Sequence, residues 1–213
     1  KEDISKNFKR SIIVDHHLHY SSKKFSNVVE INPNQYGYSG SKDACSSTMS
    51  YILSLGLNEG NIDLAKFFIA GTIGDRHHYC GYSGLNKLLI DYLTSYNIIF
   101  RQNLPSMVGD TISTGLKNMV DPFIVSFNDK NFDINDTLIS NGIDPKSGIH
   151  NLSKAEKNII RRIILKELNV QMKQHGTINL NDIDNFYDLE SNLNINEFHW
   201  LVDCSARNKD FKT

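Results

Sequence analysis

The residues of this sequence that could do chemistry lie in two short acidic segments. Asp15, His16 and His17 follow one another directly after an apolar run at 11–14, and Asp75 closes an equally apolar stretch downstream. A carboxylate followed by two imidazoles offers three metal ligands or general acid/base groups within three residues. A surface turn that happens to carry histidines is the alternative. The second acidic segment favours a functional site.

The elements that must position these residues can be inferred from the flanking patterns. Three β-branched residues at 12–14 predict a buried strand, so the Asp-His-His segment should emerge at its C-terminal edge. In open α/β sheets that edge is where ligands bind. Side chains alternate along an extended backbone, which would turn Asp15 and His17 one way and His16 the other. The two histidines are therefore expected to do different jobs.

The rest of the N-terminal half predicts an α/β fold. Short strands near 11–14, 28–31 and 98–100 are expected in one sheet, flanked by helices near 42–55, 62–74 and 84–96. This is a doubly wound, mainly parallel sheet flanked by helices. The helix near 62–74 is apolar almost all round, which predicts that it is buried and delivers Asp75 at its end. Arg76-His77-His78 then reads as a solvated polar turn outside the site.

The C-terminal half predicts a more helical extension. Short helices are expected at 111–120 and 134–141, a longer one opens at the capping box Ser153-Lys154-Ala155-Glu156, and a last one covers about 195–207. Phe186-Tyr187 is a candidate short strand. The basic residues of the long helix do not form one stripe, so a solvated surface is favoured over a phosphate-binding face; they are Lys154, Lys157, Arg161, Arg162 and Lys166.

Composition narrows the class of protein. The 213 residues are 39% hydrophobic and carry a formal net charge of -1, so no global basic field gathers nucleic acid. Three well-separated cysteines argue against a disulfide framework or a structural zinc site, and favour a reducing cytoplasm. No apolar stretch approaches the ~20 residues needed to span a bilayer. A cytoplasmic protein without membrane association is expected.

Four ordered motifs carry a resemblance to a known family. They are Ile13-Val14-Asp15-His16-His17, Ile31-Asn32-Pro33, Gly71-Thr72-Ile73-Gly74-Asp75 and Gly84-Leu85-Asn86. Together they resemble the DHH phosphoesterase superfamily, and within it the RecJ-like single-strand nucleases of archaeal type. The likeness covers about 11–96, with a looser match over 97–142.

The resemblance implies a metal site and roles for its residues. His16 and Asp75 would ligate the same ion, Asp15 would ligate or orient, and His17 would face the scissile phosphate as a catalytic group. Mixed carboxylate and imidazole ligands suit Mn²⁺ better than Mg²⁺, which is the alternative, and the complete site would hold two ions. Two ligands of one ion have donor atoms within ~4 Å of each other, so His16 and Asp75 should converge.

The function implied by the resemblance is metal-dependent phosphodiester hydrolysis by an exonuclease acting on single-stranded DNA or RNA, with replication-complex proteins as further partners. Three alternatives stay open. The first is a small-molecule phosphoesterase acting on short oligonucleotides, cyclic dinucleotides or polyphosphate. The second is a non-catalytic replisome scaffold. The third is a binding module that uses the variable region after Asn103.

The resemblance also suggests a domain layout. Residues 1–102 would be the C-terminal part of a DHH domain, 103–176 a helical extension of it, and 177–213 a connector leading into a truncated C-terminal domain. RecJ-like proteins carry two earlier aspartate motifs, and the only acids ahead of Asp15 are Glu2 and Asp3. The sequence is therefore expected to be part of a longer chain and a poor catalyst alone.

Overall fold

The structure is a computed structural model that describes residues 2–18, 25–78, 81–102, 104–172, 185–188 and 193–208. The chain divides into two compact units. Unit 1 comprises 1–100 and 186–213, and unit 2 comprises 101–185. No helix in the described ranges has the length and apolar content needed to cross a membrane.

Two parallel strands of unit 1 carry the first acidic segment. β1 (Ser11–Val14) pairs with β2 (Val28–Ile31), with Val14 opposite Ile31, so both strands end at the same edge. The predicted strands are confirmed. The burial predicted for the first strand is wrong, since Ile12 is 58% exposed; Val29 of β2 is 60% exposed as well. A buried strand needs cover on both faces of its sheet, and one face of this pair is open.

The third predicted strand joins a different sheet. β3 (Ile99–Gln102), β4 (Asn185–Asp188) and β5 (Leu193–Asn194) form a second sheet in that order, with β4 and β5 antiparallel. The expectation that 98–100 would share a sheet with β1 and β2 is therefore wrong. The described residues form a mixed α/β structure with two small sheets, and they do not establish a doubly wound sheet.

The physical reason lies in the core of unit 1. Ile99 and Phe186 are both buried in an apolar cluster that contains Phe68, Ile69 and Leu93. Packing both strands against these helical residues removes the apolar surface of Ile99 and Phe186 from water. A four-residue strand carries no local signal for its partner.

Five helices of unit 1 surround these strands in the described part of the chain. They are α1 (Glu2–Asn7), α2 (Ser46–Leu57), α3 (Ala65–Gly74), α4 (Gly84–Ser95) and α8 (Ile195–Asn208). Two 3-10 segments, Pro33–Tyr36 and Glu59–Leu64, precede α2 and α3. α3 packs against α2 on one side and α8 on the other. The end of α3, where Asp75 follows, is thereby fixed by two neighbouring helices.

Unit 2 is helical, as the sequence predicts. It contains α5 (Ile112–Lys117), α6 (Ile134–Ser140) and α7 (Lys154–Gln171), with 3-10 segments at Val125–Asn128 and Ile149–Asn151. The capping box that opens α7 is confirmed, because the Ser153 side chain accepts from the Glu156 amide and Glu156 bonds back. The core of this unit is almost entirely apolar; its members include Ile112, Leu116, Leu138, Ile143, Ile160 and Ile164.

Candidate metal centre

Asp15 organises the turn that follows β1. Its Oδ1 accepts the backbone N–H of His16 at 2.8 Å and the Nδ1–H of His17 at 2.7 Å. Burial raises the pKa of this carboxyl, but the hydrogen bonds from the His17 side chain and from the backbone of His17 and His16 outweigh it and leave the pKa below its ordinary value. Asp15 is therefore a carboxylate that orients the exposed His17 ring.

His16 turns the other way and has one nitrogen available for a cation. Its Nδ1 lies 2.7 Å from the Gly40 carbonyl oxygen. A carbonyl only accepts, so Nδ1 carries the proton and Nε2 of the neutral ring keeps its lone pair. This Nε2 lies 3.7 Å from Oδ2 of Asp75. The structure thus brings the two residues together, as expected for two ligands of one ion.

Gly40 allows this arrangement because no side chain fits at its position. A Cβ on Gly40 would overlap the carbonyl oxygen of His16 and come within 2.8 Å of the carbonyl carbon. Both of these atoms are backbone, so they cannot move aside as a side chain would. The close approach lets the Gly40 carbonyl reach the His16 ring.

Two asparagines after β2 hold the same segment from its carbonyl side. The Asn32 amide donates to the carbonyl oxygen of His17 at 3.0 Å, and the Asn34 amide donates to that of His16 at 2.9 Å. Asn32 is fully buried, and its Oδ1 also accepts the Asn34 N–H. The Ile31-Asn32-Pro33 motif therefore acts as a clamp on the Asp-His-His backbone.

A cleft of about 230 Å³ opens beside the two histidines. Its lining comprises His16, His17, Leu18, Asn34, Ser39, Gly40 and Ser41. The loop amides are used internally: Ser39 N–H donates to Asp43, Gly40 N–H to Asn34, and Ser41 N–H to Ser39 Oγ. They therefore do not form a nest for a phosphate group, and an anion in this cleft would depend on side chains or a metal ion.

Asp75 is placed by the way α3 ends. Arg76 has a left-handed backbone with φ of 59°. Its N–H bonds to the Ile73 carbonyl, and the next N–H, that of His77, reaches back to the Thr72 carbonyl at 3.0 Å. These two bonds define a Schellman motif, whose left-handed position usually holds glycine. An arginine there stores strain, as residues near functional sites often do.

The Schellman motif folds His77 back into the protein, and this corrects the sequence prediction. His77 and His78 are only 6% and 7% exposed, so the expected solvated turn is wrong. Desolvation by burial lowers the pKa of His77 and lowers that of His78 to about 4, with further lowering of the latter by His199 and Arg76. Both rings are therefore held neutral near pH 7.

The His77 ring belongs to the same cluster as His16 and Asp75. Potential ligand atoms of these three residues lie within 4.8 Å of one another. Asp15, His16 and His17 form a second such group, which shares His16. A mixed set of imidazole nitrogens and carboxylate oxygens at this spacing fits a divalent transition-metal ion.

His77 in turn contacts Asn86 of the Gly84-Leu85-Asn86 motif. Asn86 is fully buried, and its Nδ2 lies 2.7 Å from Nδ1 of His77. Gly84 has φ of 52° and leaves no room for a Cβ, which would collide with Asp43. This motif packs α4 against the Asp43 turn and brings Asn86 under the site.

Sequence reasoning named Asp15, His16, His17 and Asp75 as candidates. It did not name as candidates the residues around them, Asn32, Asn34, His77 and Asn86. A signal for His77 existed, since the residue two positions after a helix cap can fold back through a Schellman motif. Arginine in place of glycine concealed that motif. Asn32 and Asn86 lie within the Ile31-Asn32-Pro33 and Gly84-Leu85-Asn86 motifs, but their partners are distant in sequence.

Comparisons with known proteins point to an archaeal relative. No protein-family model matches the chain. The chain is similar to the uncharacterized protein MJ0831 of Methanocaldococcus jannaschii, with 31% identity over 100 residues, which are 46% of this chain and 22% of that protein. The match thus spans about a fifth of the length of that archaeal relative.

Proposed function

We propose that this chain carries part of the active site of a RecJ-like phosphodiesterase, an exonuclease that degrades single-stranded nucleic acid with Mn²⁺. The observation that carries the proposal is the pairing of His16 and Asp75. They lie far apart in sequence, yet Nε2 with its lone pair lies 3.7 Å from a carboxylate oxygen. Convergence of these two donor types is what an ion-binding site requires.

His16 Nε2 and Asp75 Oδ2 would hold the first ion. The His16 side chain is 16% exposed and that of Asp75 is 41% exposed, so His16 is largely enclosed by protein and Asp75 is accessible to solvent. The Gly40 carbonyl fixes the His16 tautomer, which is the usual outer support of a metal-binding histidine. Divalent ions bound there would neutralise charge on a phosphodiester and activate water for attack.

Asp15 and His17 would form the catalytic pair beside that ion. Asp15 accepts the Nδ1–H of His17, which leaves the opposite ring edge of an imidazole that is 76% exposed free to contact substrate. A histidine oriented by a carboxylate can stabilise charge on a phosphoryl oxygen or protonate the leaving oxygen. In this proposal Asp15 positions and His17 touches the phosphate.

Metal titration of this chain is the first test. We expect it to bind one Mn²⁺ weakly, because few protein ligands are assigned to the ion, and we expect His16→Ala and Asp75→Ala each to weaken binding at least tenfold. Asp91→Ala is the matched control: this exposed helical aspartate pairs with Lys87 and lies outside both clusters. Equal Mn²⁺ affinity in all four proteins would overturn the site.

Hydrolysis is the second test, and it applies to any longer protein that contains this chain. With Mn²⁺ that protein should degrade single-stranded DNA or RNA, and either alanine substitution should abolish the activity. The isolated 213 residues should cleave little. Exclusive hydrolysis of cyclic dinucleotides or polyphosphate would favour a small-molecule phosphoesterase, and absence of both binding and hydrolysis would favour a scaffold.

A further inference from the structure

We propose that His77, held by Asn86, is a further residue of this site, where its Nε2–H donates a hydrogen bond to an oxygen of the bound phosphoryl group. This inference rests on the proposed function for the identity of the anion. It assigns to His77 a donor role, which differs from that of a metal ligand.

The argument begins with the orientation of the Asn86 amide. Its Oδ1 accepts the hydroxyl proton of Thr48 at 2.5 Å, and its Nδ2 faces the Lys42 carbonyl oxygen at 3.3 Å. The Thr48 hydroxyl itself accepts the N–H of Cys45 at 3.1 Å. A flipped amide would place two acceptor oxygens, Asn86 Oδ1 and the Lys42 carbonyl, against each other. The contacts therefore fix Nδ2 on the side of His77.

The amide orientation then decides the tautomer of His77. Nδ2 of Asn86 can only donate, so Nδ1 of His77, 2.7 Å away, must accept. A neutral imidazole that accepts at Nδ1 carries its proton on Nε2. This is the opposite tautomer from that of His16, where the Gly40 carbonyl holds the proton on Nδ1. The two histidines thus present different atoms. Nε2 of His16 has a lone pair for a cation, whereas Nε2 of His77 has a proton for a hydrogen-bond acceptor.

His77 presents this donor from a buried position. The residue is 94% buried, because only 6% of it is exposed, and the described contacts of its side chain provide a hydrogen-bond partner for Nδ1 alone. One ring nitrogen of His77 lies within 4.8 Å of potential ligand atoms of His16 and Asp75. The Nε2–H has no protein acceptor among the described contacts of His77, so it is available to a ligand. A phosphoryl oxygen bound beside the ion would supply the acceptor.

The first experiment reads the tautomer directly. Long-range ¹H–¹⁵N spectra of the histidine rings should show the proton of His77 on Nε2 and that of His16 on Nδ1. Asn86→Asp puts an acceptor beside Nδ1 and should move the His77 proton there, with no change at His16. A His77 proton on Nδ1 in the unsubstituted chain would overturn the assignment, whatever the function of the site.

The second experiment separates donor from ligand by titrating Mn²⁺ alone and then inorganic phosphate in the presence of Mn²⁺. His77→Phe should leave Mn²⁺ affinity within about threefold and weaken phosphate binding about tenfold, the effect of one lost hydrogen bond. His77→Gln keeps an amide donor near the Nε2 position and should restore most of the phosphate affinity. His78→Phe, at an equally buried neighbouring histidine outside the cluster, is the control.

Each result decides between the alternatives. A tenfold or larger loss of Mn²⁺ affinity in both His77 variants would make His77 a ligand and overturn the donor role. Unchanged phosphate affinity in His77→Phe would overturn it as well. Failure of the unsubstituted chain to bind Mn²⁺ would instead refute the proposed function, and the ring spectra would still decide whether Asn86 sets the His77 tautomer.

Discussion

The same C-terminal motif ends a helix in each unit but buries a different type of side chain. α3 of unit 1 and α6 of unit 2 both close with a Schellman motif. At the end of α6, Gly142 takes the left-handed position with φ of 76°, and Ile143 N–H bonds to the Leu138 carbonyl at 3.0 Å. At the end of α3, Arg76 takes that position.

The residue that each motif folds back explains the difference. In unit 2 it is Ile143, which is 1% exposed and joins an apolar core. In unit 1 it is His77, which joins Asn86 and the candidate metal centre. Packing alone favours glycine and an apolar residue, whereas the α3 end accepts a strained arginine and a buried imidazole. Backbone strain and a buried polar side chain thus occur together at the helix end where the candidate site lies.

The largest effect is expected from a substitution in the apolar core at the end of α6. Ile143→Ala should lower the free energy of unfolding of unit 2 by about 2–5 kcal/mol, because it leaves a cavity in a packed core. Hydrogen exchange of the α7 amides reports the loss, since Ile160 of α7 shares that core. Ile139→Ala, at a 61% exposed position of α6, should change little. An unchanged free energy of unfolding in Ile143→Ala would contradict the cavity argument.

The hydrogen bond that holds His77 at the end of α3 is lost when Asn86 is replaced by an apolar residue of similar size. Asn86→Leu removes the partners of the Thr48 hydroxyl and His77 Nδ1, which should destabilise unit 1 by about 2–3 kcal/mol. Fluorescence of Trp200, the only tryptophan and a residue of unit 1, follows its urea unfolding. Leu138→Met, the matched swap at the end of α6, should cost less than about 1.5 kcal/mol. Equal losses would mean that hydrogen bonding adds nothing to packing at α3.

The pH dependence of stability sharpens the contrast. Burial lowers the pKa of His78 to about 4. Between about pH 6.5 and pH 4 the imidazole is therefore protonated in the unfolded state and neutral in the folded state. Stability is therefore full above pH 6.5 and falls toward pH 4. This residue should contribute roughly 1–2 kcal/mol of loss between pH 7 and 5. His78→Phe should reduce the dependence of the free energy of unfolding on pH in that range, as measured by Trp200 fluorescence. An unchanged pH dependence would contradict the burial argument.

The smallest effects come from exchanging the left-handed residues. Gly142→Ala meets no neighbouring atom within 4 Å, so backbone strain alone should destabilise α6 by about 1 kcal/mol. Arg76→Gly should relieve strain and stabilise unit 1 by about 0.5 kcal/mol, since the flexibility of glycine in the unfolded chain offsets part of the gain. Urea midpoints of both variants are the measurement. A destabilised Arg76→Gly would mean that arginine contacts outweigh its strain.

Much of the local structure could be predicted from the sequence because it depends on near neighbours. The capping box at Ser153, the periodic helix after Gly84 and the β-branched runs at 11–14 and 28–31 all form where the patterns indicate. α2 begins at Ser46, later than expected, because Asp43 accepts the Ser39 N–H and closes a turn before it. Such side-chain bonds compete with the helix over a few residues.

Within the site, the sequence by itself determined which residue types are present and which lie at the end of an element. Asp15 and His17 are paired because they lie two positions apart, with His16 between them, in the turn that follows β1. Alternation likewise predicts that both side chains lie on one side of the chain. The resemblance added the expectation that His16 and Asp75 converge, and the 3.7 Å distance agrees with it. Their metal-binding and catalytic roles remain predictions.

Only the tertiary structure decided the rest, because it depends on partners that are remote in sequence. β3 pairs with β4 across more than eighty residues, and Ile99 and Phe186 of the two strands are buried in one core. The burial of His77 likewise needs α4 to bring Asn86 to its Nδ1. A buried polar group is stable only when its partner is in place, and no local pattern specifies a partner that arrives from another helix.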